Sequence, residues 1–155
     1  MIFGQHEKMQ IVTAPATLVN DAAVTTTAID TKGYDYAQIY VILGANDATF
    51  STLAVQESDA SGSGYANITG AVFGTSTNSA GDTSAVPDGD DDNTIFCVDI
   101  DLRGRKRYLD VSATVGAGSS GAYVTILAVL SRAEETPNTA SERGASQLLR
   151  VPAYS

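Results

Sequence analysis

Regular alternation of apolar and polar residues between positions 93 and 131 limits what this chain can fold into more than any other feature. Residues 96–102 and 109–115 both place an apolar side chain at every second position, and residues 123–130 are almost continuously apolar. Alternation indicates a strand with one buried face, and a continuous apolar run indicates a strand that is covered on both faces. Glycine-containing turns separate the three runs, so we expect a three-stranded antiparallel meander.

Further strands are predicted upstream of this stretch. Residues 37–43 form a second almost continuous apolar run, and residues 50–58 follow it after a short loop, which predicts a β-hairpin. The β-branched residues of 24–29 predict another strand, whereas residues 65–73 are compatible with either a short strand or a single helical turn. No segment longer than about ten residues has a helical period. We therefore predict an all-β domain of about seven or eight strands, built as a two-sheet antiparallel β-sandwich or jelly roll.

The 155 residues suffice for one domain, with a distinct segment at each end. We assign residues 1–15 to an N-terminal arm, residues 16–132 to the β-sandwich body and residues 133–155 to a C-terminal tail. Because Ile2 and Phe3 are apolar near the N-terminus, the arm is either a frayed end or a segment that packs on a neighbouring subunit. We expect neither a membrane span nor a secretory signal, since no long apolar run is present.

Charge and composition narrow the possible functions. The formal net charge of −9 argues against nonspecific binding of nucleic acid over the whole surface. The only histidine, His6, lies in the arm, and we expect it to be exposed. The only cysteine, Cys97, lies within a predicted strand, where a buried or half-buried thiol is expected. These two residues exclude an internal disulfide and a cysteine-rich zinc site, and they disfavour a Ser–His or Cys–His pair. We therefore predict neither an enzyme nor a cofactor.

An acidic cluster between residues 82 and 92 is the best candidate metal site in the sequence. Calcium binds carboxylate and carbonyl oxygens that flexible loops supply. The spacing does not match the calcium loop of helix–loop–helix proteins, however, and the glutamate that closes such a loop is missing. The cluster is therefore either a weak calcium site or a solvated acidic loop. Its members are Asp82, Asp88, Asp90, Asp91 and Asp92.

The turn at residues 103–107 holds four of the nine basic residues of the chain. It is open to three interpretations: a patch that contacts phosphates, a turn that docks on an acidic patch of a protein partner, or a turn whose charge is balanced within the chain. Asp99, Asp101 and Asp110 on the flanking strands are the expected balancing residues. The acidity of the chain and the lack of interleaved aromatic residues disfavour the first interpretation.

Residues 147–154 form a small apolar patch after a polar stretch, within the predicted tail. We interpret this patch as a segment that docks on a partner. Together with the arm and the basic turn, it defines a hypothetical protein interface. The residues of that interface are Ile2, Phe3, Ile11, Arg103, Arg105, Lys106, Arg107, Leu148, Leu149, Val151 and Tyr154.

Three segments of the chain resemble one known class of protein. They are IDTKGYD at 29–35, RKRYLDVSATVG at 105–116 and YVTILAVLSRAEE at 123–135. Through them, residues 29–135 resemble the capsid decoration, or cement, proteins of tailed bacteriophages. The resemblance implies a β-sandwich or jelly-roll body on the outer surface of the virion, made in the host cytoplasm, that bridges neighbouring major capsid subunits as a homotrimer. It implies no catalytic residues. We expect the major capsid protein and further copies of the chain as partners, and neither nucleic acid nor a membrane.

Other functions remain open on the same residues. One is another virion component, from the tail, the neck or the base of a fibre. A second is a jelly-roll module that binds carbohydrate or calcium, which would require a ligand to order the acidic loop. The absence of tryptophan weakens the carbohydrate alternative. A hydrolase has no supporting set of residues.

Overall fold

The computed structural model describes residues 6–137 and 139–151, and these residues form two antiparallel sheets. Within those ranges no helix is long and apolar enough to cross a membrane. The strands are β1 (Lys8–Val19), β2 (Ala22–Ala23), β3 (Ile29–Asp30), β4 (Tyr34–Asn46), β5 (Phe50–Ser58), β6 (Ala66–Val72), β7 (Ile95–Asp101), β8 (Tyr108–Val115) and β9 (Ala122–Ala133).

The two sheets pack as a β-sandwich around one core. The four-stranded sheet has the order β1-β9-β4-β7, and the five-stranded sheet has the order β2-β8-β5-β6, with β3 also paired to β8. Ile39 and Ile126 of the first sheet, and Phe50, Leu53 and Leu109 of the second, are almost fully buried in one cluster. Burying each such side chain contributes about 1.5–3 kcal/mol. The prediction of an all-β domain with two antiparallel sheets is confirmed.

The predicted pairing of neighbouring strands is wrong in two places. The three strands between residues 93 and 131 do not form a meander, because β7 pairs with β4, β8 pairs with β5, and β9 lies between β1 and β4. The predicted hairpin of β4 and β5 is also absent, since these strands lie in different sheets. Alternation shows which face of a strand is buried, and that face is the same whether the next strand lies beside it or in the opposite sheet.

The almost continuous apolar run at residues 123–130 is not covered on both faces by the residues that the structure describes. Val124, Ile126 and Leu130 point into the core and are fully buried. At the alternate positions, Tyr123 is 43% exposed and Leu127 is only half-buried. The apolar side chains at these alternate positions therefore lie on the outside of the sandwich.

Residues 8–15, which were predicted to belong to an arm, form part of an edge strand. They lie in β1, which pairs with β9 in antiparallel register. Pro15 falls between Thr13 and Thr17, where the register shifts, so its missing N–H interrupts no regular ladder. This bulge lets the strand continue past Pro15 to Val19. Residues 1–5 lie outside the described residues.

Two other local predictions have different outcomes. The run at 24–29 is not a strand, apart from Ile29 at the start of β3. It crosses from one sheet to the other: the Val24 N–H donates to the Ala113 carbonyl of β8, and the Thr27 N–H donates to the Val12 carbonyl of β1. A segment that hydrogen-bonds first to one sheet and then to the other forms no continuous ladder with a neighbouring strand. Residues 65–73, which fitted either a strand or a helical turn, contain strand β6.

Candidate interaction surfaces

Every cation of the basic turn at 103–107 is paired with an acidic side chain. Arg103 pairs with Asp101 of the preceding strand. The other three pairs join Arg105 to Glu57 at 3.6 Å, Lys106 to Asp59 at 3.7 Å and Arg107 to Asp30 at 2.7 Å. The positive charge of this turn is therefore balanced within the chain.

Of the three expected balancing residues, only Asp101 has that role. Asp99 instead accepts a hydrogen bond from the Gln38 side chain at 2.9 Å, and Asp110 accepts one from the Val111 N–H at 2.8 Å. The other three acidic partners, Glu57, Asp59 and Asp30, are distant from the turn in sequence, so sequence spacing gave no signal for them. The hydrogen bonds from Arg103 lower the pKa of Asp101 to about 2.

The acidic residues between 88 and 92 shape the loop in which they lie. The Asn46 N–H donates to Asp92 at 2.6 Å, the Asp88 N–H donates to Asp91 at 2.9 Å, and the Asp90 N–H donates to Asp88 at 3.0 Å. Carboxylates of this kind satisfy backbone donors that a loop leaves unpaired.

The five calcium candidates are not assembled into a metal site. Within residues 6–137 and 139–151, no group of three or more His, Cys, Asp or Glu side chains is arranged to hold a metal ion. Asp82 lies in a separate turn, where its N–H donates to the Asn78 side chain at 3.0 Å. The solvated acidic loop is the interpretation that agrees with these contacts.

Neither His6 nor Cys97 is placed as expected. His6 is half-buried rather than exposed, and its Nδ1 lies 3.4 Å from the Thr136 hydroxyl. Cys97 is exposed on β7 rather than buried, because its position faces out of the sandwich. Desolvation, and secondly the negative charge of Asp99, raise the pKa of the thiol, so it stays protonated near neutral pH. A protonated thiol is a poor nucleophile.

A shallow cleft of about 470 Å³ opens where the edge strands of the two sheets meet. Its walls include Val72 and Phe73 at the end of β6, and Cys97 and Asp99 of β7. The described residues around it include no histidine and no second cysteine. The residues that line the cleft therefore include no Ser–His or Cys–His pair.

The exposed large apolar side chains are concentrated on two surfaces. In the described residues there are seven of them, and five lie on the outer face of the four-stranded sheet. These five are Met9, Ile11, Leu18, Ile95 and Tyr123. The remaining two, Leu149 and Val151, belong to the C-terminal segment. Single exposed apolar residues are ordinary, but a contiguous group marks a binding surface.

The strand register shows that the apolar residues of the sheet are contiguous. Ile11 is paired with Leu127, Leu127 with Tyr40, and Tyr40 with Cys97, which gives one row across all four strands. Directly paired residues of neighbouring strands have side chains about 5 Å apart on the same face. We call the surface formed by this row and its neighbours the outer sheet face. Its further members are Met9, Leu18, Ile42, Ile95, Tyr123 and Val129.

The C-terminal segment is anchored beside β1 and then becomes exposed. The Met9 N–H donates to the Arg143 carbonyl at 3.0 Å, and the Arg143 guanidinium donates to the Glu7 carbonyl at 3.3 Å. Beyond this anchor Leu148 is half-buried, while Leu149 is 88% exposed and Val151 is 81% exposed. These two apolar side chains are therefore accessible at the surface of the described chain.

The predicted interface is distributed over separate surfaces rather than one. Ile11 lies on the outer sheet face, the basic turn is neutralised, and Leu149 and Val151 lie in the C-terminal segment. Ile2, Phe3 and Tyr154 lie outside the described residues. The sequence interpretation missed most of the outer sheet face, although the apolar residues at alternate positions of 123–130 were its signal.

Comparison with known proteins adds no relative to this description. No protein-family model matches the sequence, and no curated protein matches it. The surfaces described above are therefore the features on which a function can rest.

Proposed function

We propose that this protein is a capsid decoration protein of a tailed bacteriophage. It binds the outer surface of the shell as a homotrimer and cements neighbouring major capsid subunits. The observation that carries the proposal is the concentration of exposed large apolar side chains on two separate surfaces of one β-sandwich. A trimer that cements a shell must hold its own copies together and must also contact capsid subunits, and two separate surfaces allow both.

The energetics of such a role agree with the two surfaces. Burying one Leu or Val side chain contributes about 1.5–3 kcal/mol, so Leu149 and Val151 provide a modest contact in each copy. A trimer that engages three equivalent sites gains avidity from each of these contacts without any new chemistry. Weak individual contacts are therefore sufficient to hold an oligomer on a symmetric shell.

Charge favours the outside of a shell over the side that contacts packaged DNA. The net charge is −9, and every cation of the basic turn is paired with an acidic residue. Nucleic-acid backbones attract surfaces with unbalanced positive charge. The resemblance of residues 29–135 to decoration proteins supports the same placement.

Binding to empty capsids of the phage that encodes the chain tests the proposal. We expect the purified protein to sediment with the shells and to saturate at a fixed ratio to the major capsid protein. Leu149→Glu should weaken this binding at least tenfold, since about 1.4 kcal/mol corresponds to a factor of ten. Thr52→Glu, which adds the same charge at an exposed position of the five-stranded sheet, is the control and should bind normally.

Two outcomes contradict the proposal. If the wild-type protein does not sediment with shells at micromolar concentration, the capsid is not its partner. If the protein is present in purified particles but is located on the tail, neck or fibre base by electron microscopy, it is a structural component of another part of the virion.

A further inference from the structure

The outer sheet face has the amino-acid pattern of a buried surface, but residues 6–137 and 139–151 do not bury it. Residues 123–130 are apolar at nearly every position, which is typical of strands that are covered on both sides. The five-stranded sheet covers only the inner side. Tyr123 and Ile11 are 43% and 58% exposed on the outer side.

The charged groups of this face lie along β7 and at one end of β4, where the Arg103 and Arg132 guanidiniums lie 5.7 and 5.6 Å from the centre of the Tyr36 ring. Asp99 and Asp101 lie at outward positions of β7, which is an edge strand of the sheet. The central row, from Ile11 through Leu127 and Tyr40, contains no charged residue. An apolar centre with a polar rim is the usual composition of a protein–protein interface.

The face is also of the size that a stable interface requires. Its longest strands have twelve and thirteen residues, and four strands lie side by side. Three strands about 40 Å long and the shorter β7, about 23 Å long, lie about 4.8 Å apart and give the face an area of roughly 700 Å². An interface of standard size buries about 800 Å² on each partner.

We propose that a second copy of this chain covers the outer sheet face. Two copies of a chain with a net charge of −9 repel each other unless their contact is free of like charges, and the central row of this face meets that condition. Packing on a second copy also leaves Leu149 and Val151 of each copy for another partner. The proposal assigns a surface to the self-association proposed above and rests on the proposed function only for the number of copies.

Light scattering over a range of concentrations tests which surface is used. At high concentration the wild-type protein should have a mass at least twice the 16.1 kDa of one chain. Ile11→Glu and Leu127→Glu should each raise the dissociation constant at least tenfold, because each places a charge in the apolar centre. Thr52→Glu adds the same charge on the five-stranded sheet, outside the face, and should leave the dissociation constant unchanged. Ile11 is already 58% exposed, so a glutamate at this position does not have to be accommodated in the hydrophobic core.

Cys97 provides a second readout, because it ends the central row and is the only cysteine of the chain. Self-association through the outer sheet face should slow the reaction of this thiol with a maleimide as the protein concentration rises. The slowing should be absent in Ile11→Glu. Reaction rates that do not depend on concentration would show that the face stays open.

Three results would overturn the inference. They are a wild-type protein that remains monomeric at all concentrations, an oligomer whose mass does not respond to Ile11→Glu or Leu127→Glu, and protection of Cys97 only on shells. A monomer that still binds shells would overturn this inference alone. An oligomer that binds no shell would overturn the proposed function and leave the inference standing.

Discussion

Asp47 and Gly121 are joined by two reciprocal hydrogen bonds. The Gly121 N–H donates to the Asp47 carboxylate at 2.7 Å, and the Asp47 N–H donates to the Gly121 carbonyl at 3.2 Å. The same carboxylate accepts a third bond, from the Ser120 N–H at 2.8 Å. The loop after β4 is thereby fixed to the loop before β9, so this end of the sandwich does not depend on side-chain packing alone.

Asp47→Ala should lower the free energy of unfolding by about 1–3 kcal/mol, because it leaves two backbone donors without their charged acceptor. Chemical denaturation measures the change. Asp82→Ala is the matched control: this carboxylate is exposed and has no hydrogen-bond partner in the described part of the chain, so the change should stay within about 0.5 kcal/mol. Equal effects of the two substitutions would contradict the role of Asp47.

Gly121→Ala should destabilise the protein more than Gly33→Ala. Both glycines have positive φ, +86° and +85°, so both substitutions carry a similar backbone cost of about 1–2 kcal/mol. A Cβ at Gly121 would lie 2.7 Å from the Asn20 Cβ, whereas a Cβ at Gly33 would have no neighbour within 4 Å. We expect an additional loss of about 1–3 kcal/mol at Gly121. Thermal melts of the two variants that coincide would show that this loop is not packed as described.

The ion pair of Asp30 and Arg107 should make stability depend on acid pH. The hydrogen bond from Arg107 lowers the pKa of Asp30 below its usual value of 3.8. The pair therefore stabilises the fold above the unfolded-state pKa, and this contribution is lost as the pH falls through the lowered folded-state pKa. Both side chains are more than 40% exposed, so the contribution at neutral pH should be below about 1 kcal/mol.

Asp30→Asn should accordingly melt below the wild type at pH 7, and the difference should close in acid below pH 3.8. Asp21→Asn serves as the control, because Asp21 forms no ion pair in the described part of the chain. A difference between Asp30→Asn and the wild type that persists unchanged in acid would exclude the ion pair as its cause.

The sequence predicted well which residues face the core, and it predicted poorly which strands pair with each other. Ile100, Leu109 and Val111 are buried as the period-two pattern requires, because that pattern depends only on which side of each strand faces the core. The pairing of β7 with β4 depends on contacts between segments that are far apart in the chain, to which a local pattern is insensitive.

In the candidate surfaces, too, local features were predicted and contacts between distant segments were not. The exposure of Leu149 follows from an apolar patch beyond the last strand and was predicted. The neutralisation of Arg105 by Glu57 was not, because these residues meet only when β5 and β8 pair. The apolar character of Leu127 was visible in the sequence, but its outward position, with no cover from the described residues, is a property of the fold.

The temperature at which phage particles release their DNA tests the cementing role most directly. Particles that lack this protein should rupture at a lower temperature than complete particles. Addition of the purified wild-type protein should restore the higher temperature, while addition of Leu149→Glu at the same concentration should restore it less. If particles with and without the protein release their DNA at the same temperature, the protein does not cement the shell.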